Sequence, residues 1–408
     1  MEFSNGAPVL GFAASGRAGD AAGFLIIVGV TGSLWRSTRN WPWLAPELFP
    51  GSHPGKEMSL GVLAQRAEEL APTARTTTIF IGYTGTAMIE MEAASGAKGL
   101  DFSRIYLDVV TGQELGRVNW GGLPTSRAMV MPFIYTLHYS LALGELGVWI
   151  LGFVALVWTL DCFVGFYLTL PAGERSRKGF FARWKPSWLV KLKSSFYRVN
   201  FDLHRAASLW LWAMLLVYAW SSVYWNLPSV YTTVMSAIAD FQPPQWAQPA
   251  SPQTRSDRAP MGWQEANATA ETLMAQQAHI HRFSVIRPLG LSLMRERGLF
   301  NYDVQSDRDI ADKYGATSLA FDASSGAFVS LSVPTGDRVG NTITTWLSRL
   351  HMADVFGLPY KIFVSVFGLV VAMLSVTGVY IWWKKRLARL AHARQTAPRV
   401  APAERTPA

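Results

Sequence analysis

The sequence predicts an integral membrane α-helical protein: a four-span bundle built as a two-fold repeat, carrying two small α+β domains outside the bilayer. Three observations predict it. Apolar stretches of bilayer length alternate with two long polar segments. Positive charge gathers in the short middle loop and after the last apolar run. Two histidine-led segments, "TLHYSLALG" (136–144) and "RLHMADVFG" (349–357), mirror each other ahead of apolar runs. In both copies a glycine falls six residues after the histidine (Gly144, Gly357) and another at twenty-seven (Gly165, Gly378), with an aromatic two further on (Tyr167, Tyr380).

Composition sets the class. Half of the 408 residues are hydrophobic and 17 are Trp, while charged residues make up 16%, against roughly 25% in soluble domains. Cys162 is the only cysteine, which excludes disulfides within the chain. The first twenty residues lack the basic start and compact apolar core of a cleavable signal peptide. The net charge of +9 includes no Lys/Arg run interleaved with aromatics, so nucleic-acid binding has no support.

Residues 1–40 hold the N-terminus and a first span, "AAGFLIIVGVTGSLW" (21–35). It is short for a bilayer, which needs roughly 20 apolar residues, and crosses by extending back past Arg17 and Asp20 or forward past Arg36. Residues 41–133 form an outside module: a helical stretch, "LGVLAQRAEEL" (60–70), then strand-like runs broken at an Asp-x-x-Thr-Gly turn in "IYLDVVTGQELG" (105–116). Residues 134–170 carry the second span, about Leu143–Leu170. The loop 171–200 holds eight Lys/Arg against one acidic residue, Glu174. Residues 201–228 carry the third span, about Ala206–Leu227.

The second module, 229–345, begins with a Pro- and Gln-rich linker, "FQPPQWAQPASPQ" (241–253). It then repeats the helix ("EANATAETLMAQQA", 265–278) and the Asp turn ("LAFDASSGAFVS", 319–330). Residues 346–384 carry the fourth span, about Tyr360–Trp383, and 385–408 read as a basic, disordered tail. By the positive-inside rule the termini and the middle loop are cytoplasmic and both modules lie outside. Trp35, Trp41, Trp225, Trp382 and Trp383 sit near span ends, where amphipathic rings favour the interface.

Three of the seven histidines open a span. His138 and His351 fall near the outer face, His204 near the inner one. An isolated histidine at an interface is ordinarily an amphipathic side chain and nothing more. Two at matching positions of a duplication are different: facing each other across a bundle, neutral imidazoles can supply both axial bonds to a haem iron. Gly144 and Gly357 would let the macrocycle approach the helix, or serve close helix packing. The first spans of the halves also overlay, "IIVGVTGSLW" (from 26) on "LLVYAWSSVYW" (from 215), at an offset of 189 that places Ser15 opposite His204.

Other polar residues carry weaker signals. Asp161 lies inside the second span and could relay a proton, contact quinone or bond a neighbouring helix. Arg205 could pair with a haem propionate or add to the inside-positive charge. "HIH" (279–281) is a possible metal pair if it lies in a strand, with no cluster nearby to complete it. Cys162 reads as an apolar neighbour. Neither a dinucleotide glycine fingerprint nor a P-loop is present, so electrons would come from a separate donor, a quinol, a soluble flavoprotein or a small reductant.

The chain resembles the PepSY-associated transmembrane-helix family of bacterial inner-membrane proteins, which includes iron-regulated ferric-siderophore reductases. The residues that carry the likeness are "VGVTGSLW", the "ELF" at 47–49, "TLHYSLALG", "NFDLHRAASLW" and "RLHMADVFGLPYKIFVSVFGLVVAMLSVTGVYIWWKKR". They cover all four spans, and the outside modules look like PepSY-type domains. The resemblance implies one or two b-type haems in the bundle, with His138, His351 and His204 as axial ligands, and electrons delivered to periplasmic ferric siderophores. The family's Leu-His-Arg opening of the first span is missing here, which leaves an inner haem short of a ligand. The competing reading is a non-enzymatic, membrane-anchored protein whose outside domains bind a partner or inhibit a peptidase. A transporter is disfavoured, since no Gly/Pro-broken helices flank a midplane site.

Overall fold

The computed structural model describes residues 17–37, 49, 51, 53–82, 84–97, 99–126, 129–171, 179–247, 259–312 and 314–396. Ser15, Trp41, the first two residues of "ELF", Glu174, the linker beyond 247 and the tail beyond 396 lie outside them. The chain divides into two compact units. One comprises 1–30, 158–215 and 367–408; the other comprises 31–157 and 216–366.

The second of these contains the β-sheet domain. Helix α2 (Leu60–Leu70) starts where the Ser59 hydroxyl accepts from the Val62 amide, the usual N-cap arrangement. It buries Leu60, Leu63, Ala64 and Ala67, a stripe at helical spacing. Strands β1 (Ala74–Ile81), β2 (Thr86–Ala93), β3 (Arg104–Asp108) and β4 (Glu114–Val118) follow as a meander. Helix α9 (Trp263–His281) and strands β5 (Val285–Met294), β6 (Leu299–Ser306), β7 (Thr317–Asp322) and β8 (Phe328–Ser332) repeat that element order.

The two modules are not separate domains. They join in one eight-stranded antiparallel sheet, ordered β4-β3-β2-β1-β5-β6-β7-β8. The seam is β1 against β5, where Ile79 pairs with Leu291 and Phe80 with Gly290. A sheet edge left bare is an aggregation hazard, and each module covers the other's. Gly290 is required there because a Cβ would stand 2.9 Å from the Ile79 carbonyl oxygen. Helices α2 and α9 pack on one face over a shared core that includes Leu63, Ile79, Ile89, Leu291, Phe300 and Phe321.

Both Asp turns form as the sequence indicates. Asp108 Oδ1 accepts from the Val110 and Thr111 amides and from the Thr111 hydroxyl. Asp322 Oδ1 accepts from amide and hydroxyl of both Ser324 and Ser325. The glycines that close them, Gly112 and Gly326, have φ of 65° and 72°, where a side chain would be strained.

Of the apolar helices, α4 (Glu145–Thr169) and α11 (Gly357–Thr396) are long and apolar enough to cross a membrane. Helix α1 (Arg17–Ser37) extends past its apolar part, Ala22–Leu34, at both ends. The third span read from the sequence is broken. It divides at Leu211 into α6 (Phe196–Trp210) and α7 (Trp212–Asn226), bent by 73°. The cause is backbone: Leu211 leaves helical dihedrals (φ −108°, ψ 9°). Helix α11 runs on to Thr396, so 385–396, read as disordered, are helical; Lys, Arg, Leu and Ala are strong helix formers.

The remaining helices are α3 (Val130–Ser140), α5 (Phe180–Trp184), α8 (Pro228–Ile238) and α10 (Val339–His351). His138 and His351 do not lie on the spans: they sit in α3 and α10, separate helices that lead into α4 and α11. Each junction is a left-handed elbow. Leu141, Ala142 and Gly144 have φ of 54°, 55° and 60°; Ala353, Phe356 and Gly357 have 48°, 59° and 62°. Gly144 and Gly357 therefore serve the turn. A Cβ on either would have no neighbouring atom within 4 Å, so among the described residues neither glycine packs against another helix.

Phe300 is 1% exposed, meets Trp263 edge-on and stacks on Phe321. Phe300→Ala should lower the stability of the sheet domain by about 3–5 kcal/mol, read from thermal unfolding of the full chain. Asp322 gives a pH test. Partial burial works against its ionisation, but the Ser324 and Ser325 hydrogen bonds outweigh that and hold its carboxyl down at about 2. Its folded value lies below the unfolded one, so the ionised turn stabilises fully above the ordinary carboxylate range near 3.8 and loses this as pH falls through about 2. The melting-temperature difference between wild type and Asp322→Ala should accordingly shrink as pH falls from 5 towards about 2.

Candidate functional site

The unit formed by residues 31–157 and 216–366 brings His138 and His351 together: their ring centroids lie 6.3 Å apart at an interplanar angle of 76°. Two imidazoles on opposite sides of one metal, each bonded at about 2 Å, put ring centroids roughly 6 Å apart. The pair therefore fits axial coordination of a single iron by separation. It is also a two-donor set, the number that a bis-histidine haem takes from protein. Among the described residues, no group of three or more His, Cys, Asp or Glu could hold a bare metal ion.

Each ring is fixed by a hydroxyl. His138 Nδ1 is 3.2 Å from Thr31 Oγ1 on α1, and His351 Nδ1 is 2.7 Å from Ser221 Oγ on α7. Metal-bound histidines characteristically have the second ring nitrogen held this way. Gly32 lies against His138, where a Cβ would stand 2.8 Å from ring carbon Cε1. His351 is stacked on Tyr218 with centroids 4.4 Å apart and meets Trp225 edge-on at 5.1 Å. The Tyr218 hydroxyl donates to the His351 carbonyl.

The elbow after His351 is tied to the sheet domain. The Asp312 amide donates to the Asp354 carbonyl at 2.7 Å, and the Gly357 amide donates to the Asp312 carboxylate at 3.2 Å. Arg349 pairs with Asp354 at 3.5 Å and donates to the Gly315 carbonyl. The loop between β6 and β7 thus sets where α10 ends and where His351 stands.

The unit formed by 1–30, 158–215 and 367–408 holds the third histidine. His204 Nδ1 on α6 is 3.0 Å from Thr377 Oγ1 on α11, and Gly378 lies opposite, its missing Cβ 3.2 Å from His204 Cε1. Gly29 allows α1 to approach α11: a Cβ there would stand 2.6 Å from the Gly368 carbonyl oxygen. Arg205 pairs with the fully buried Asp202 at 2.9 Å and donates to the Pro186 carbonyl. Arg198, itself partly solvent-exposed, pairs with the same carboxylate at 3.0 Å. The visible partners of Arg205 thus tie α6 to the short turn at Lys185–Trp188. Asp161 lies on the exposed face of α4 with Leu160 and Phe163, while Cys162 is buried and its carbonyl accepts from the Trp212 indole.

His279 and His281 lie in the last turn of helix α9 and are exposed. Residues two apart on a helix do not share a face, so the strand-based metal pair is not formed. Sequence reasoning missed Thr31, Gly32, Ser221 and Thr377, and singled out Gly378 only as part of the repeat. A signal for four of them was present: Thr-Gly inside an apolar run occurs twice, in "GVTGSLW" and "SVTGVYIWW". It also missed an open cleft of about 560 Å³ in the sheet domain, lined by Lys56, Glu57, Ser59, Asn267 and Glu271 among others.

No curated protein matches the chain. The profile of the family described as PepSY-associated TM region matches residues 21–385, from the apolar start of α1 to the basic end of the α11 span. This is a membrane protein, and the chain belongs to the PepSY-associated TM region family.

Proposed function

We propose that this protein is a haem b-containing reductase of the bacterial inner membrane that passes electrons outward to periplasmic ferric siderophores. The observation that carries the reading is the His138–His351 pair, 6.3 Å apart with each Nδ1 engaged by a helix hydroxyl. A haem held by both imidazoles would supply one-electron transfer. His138 and His351 would hold the group, Thr31 and Ser221 would orient the rings, and Gly32 leaves room beside His138. His204, with Thr377 and Gly378, is the ligand of an inner haem in the same reading.

The proposed topology is the four-span, two-fold repeat. Helices α1, α4, the bent α6–α7 pair and α11 are its spans. Both termini and the basic loop are cytoplasmic, supported by the excess of Lys and Arg at 171–200. The sheet domain then lies in the periplasm, where ferric chelates arrive. The donor, a quinol or a flavoprotein, gives one electron per ferric ion, and the resulting ferrous ion, a softer and less charged acid, is held less tightly by oxygen chelators.

Purified wild-type protein should give a reduced-minus-oxidised spectrum of b type, and the dithionite-reduced form should be reoxidised by a ferric hydroxamate. His351→Ala should remove the outer-haem signal, and His204→Ala should leave that signal in place. A folded, colourless wild-type protein would reject the reading and leave the anchored binding module as the better account.

A further inference from the structure

We infer that Ser221 and Thr377 are positioning residues that fix His351 and His204 as Nδ1–H tautomers, presenting Nε2 as the lone-pair donor to iron. The inference rests on the haem reading above and adds to it the state in which the ligands are held. A neutral imidazole carries one proton, on either nitrogen, and only the bare nitrogen can bind a metal. What selects the nitrogen is the partner of the other one.

Ser221 Oγ has a single proton. Its shortest contact is 2.6 Å, to the Val217 carbonyl one turn back, with the Tyr218 carbonyl at 3.2 Å. That distance is at the short end for an O–H···O bond, so the proton points along the helix. Towards His351 Nδ1, 2.7 Å away, the hydroxyl then offers only a lone pair, and the ring nitrogen must donate. Ser221 is fully buried, so no water competes for either bond.

Thr377 repeats the arrangement. Its hydroxyl donates to the Met373 and Leu374 carbonyls at 2.9 and 3.0 Å and faces His204 Nδ1 at 3.0 Å. In both places the helix consumes the hydroxyl proton, so the hydroxyl becomes an obligate acceptor. An Nδ1–H that donates makes Nε2 a stronger donor, which favours ferric over ferrous iron.

The first test needs no haem. The chain has seven histidines, so nitrogen-15 NMR of the full-length, haem-free protein in lipid can assign the tautomer of each ring. His351 and His204 should be Nδ1–H in wild type. Ser221→Ala and the isosteric Thr377→Val should shift His351 and His204 respectively towards the Nε2–H form, while Ser221→Thr should retain the wild-type state. Ser222, whose hydroxyl donates to the Tyr218 carbonyl, supplies the control: Ser222→Ala should change neither ring.

The second test is the midpoint potential of the haem-loaded protein. Ser221→Ala should move the outer haem upward by about tenfold in the ferric-to-ferrous ratio, about 59 mV for one electron, and Ser221→Thr should restore it. Finding His351 as Nε2–H in wild type, or finding tautomer and potential unmoved in Ser221→Ala, would overturn the inference. If wild type binds no haem, the reductase reading fails on its own account, and the NMR measurement still decides the tautomer.

Discussion

The hydrogen bond between an imidazole Nδ1 and a helix hydroxyl is the interaction on which the site depends. A histidine in an apolar bundle is costly unless its polar atoms are paired. It is useful to a metal only if one nitrogen keeps its lone pair. A hydroxyl whose own proton is spent on the helix backbone meets both demands, because it satisfies one nitrogen and cannot compete for the other. His351 and His204 have such a hydroxyl at 2.7 and 3.0 Å, and His138 Nδ1 lies 3.2 Å from the Thr31 hydroxyl. The hydroxyl-bearing residues are themselves buried: Ser221 is fully so, and Thr31 and Thr377 are below a tenth exposed.

Placement of the outer pair falls to the parts of the chain that are least helical. Each histidine sits near the end of a helix that stops short of the span, and a left-handed elbow redirects the chain into α4 or α11. The elbow turns an otherwise straight path so that the imidazole-bearing helix can lean against its hydroxyl partner. On the His351 side, the elbow is bonded to Asp312 and Arg349. The β6–β7 loop therefore anchors the C-terminal end of α10 through one backbone bond and two side-chain contacts. The sheet domain thus braces the elbow on the His351 side.

Much of this was legible in the sequence, for identifiable reasons. Period-two and period-3.6 patterns located the module helices and strands, and Asp with Gly located both turns, because these signals are local. The histidine pair was legible because duplication writes the same spacing twice. The roles of Gly144 and Gly357 were not, since a glycine in a turn and one in a helix contact look alike in a string of letters. Nor was the break at Leu211: residues 206–227 contain neither Pro nor Gly, and the run keeps a uniform apolar character. The fusion of the modules into one sheet depends on β1 meeting β5 across more than two hundred residues, a pairing that no local pattern encodes.

The overlay of the two halves shows what the site preserves. At the offset of 189, Thr31 corresponds to Trp220 and Gly32 to Ser221. On α1 the imidazole lies over the glycine, and the residue before it supplies the hydroxyl. On α7 the position before is taken by Trp220, whose ring packs on Tyr231 at 5.1 Å and cannot serve as an acceptor. The hydroxyl appears one residue later, at the position of the glycine itself, and the bond shortens from 3.2 to 2.7 Å. A purely steric account of the glycine would leave Ser221 unexplained, because its side chain fills the space that Gly32 keeps open. An account in which each ring needs a hydroxyl beside Nδ1 explains both halves with different residues. The constant feature is the chemical function facing the ring, and the identity of the residue that provides it follows from what else its helix must pack against.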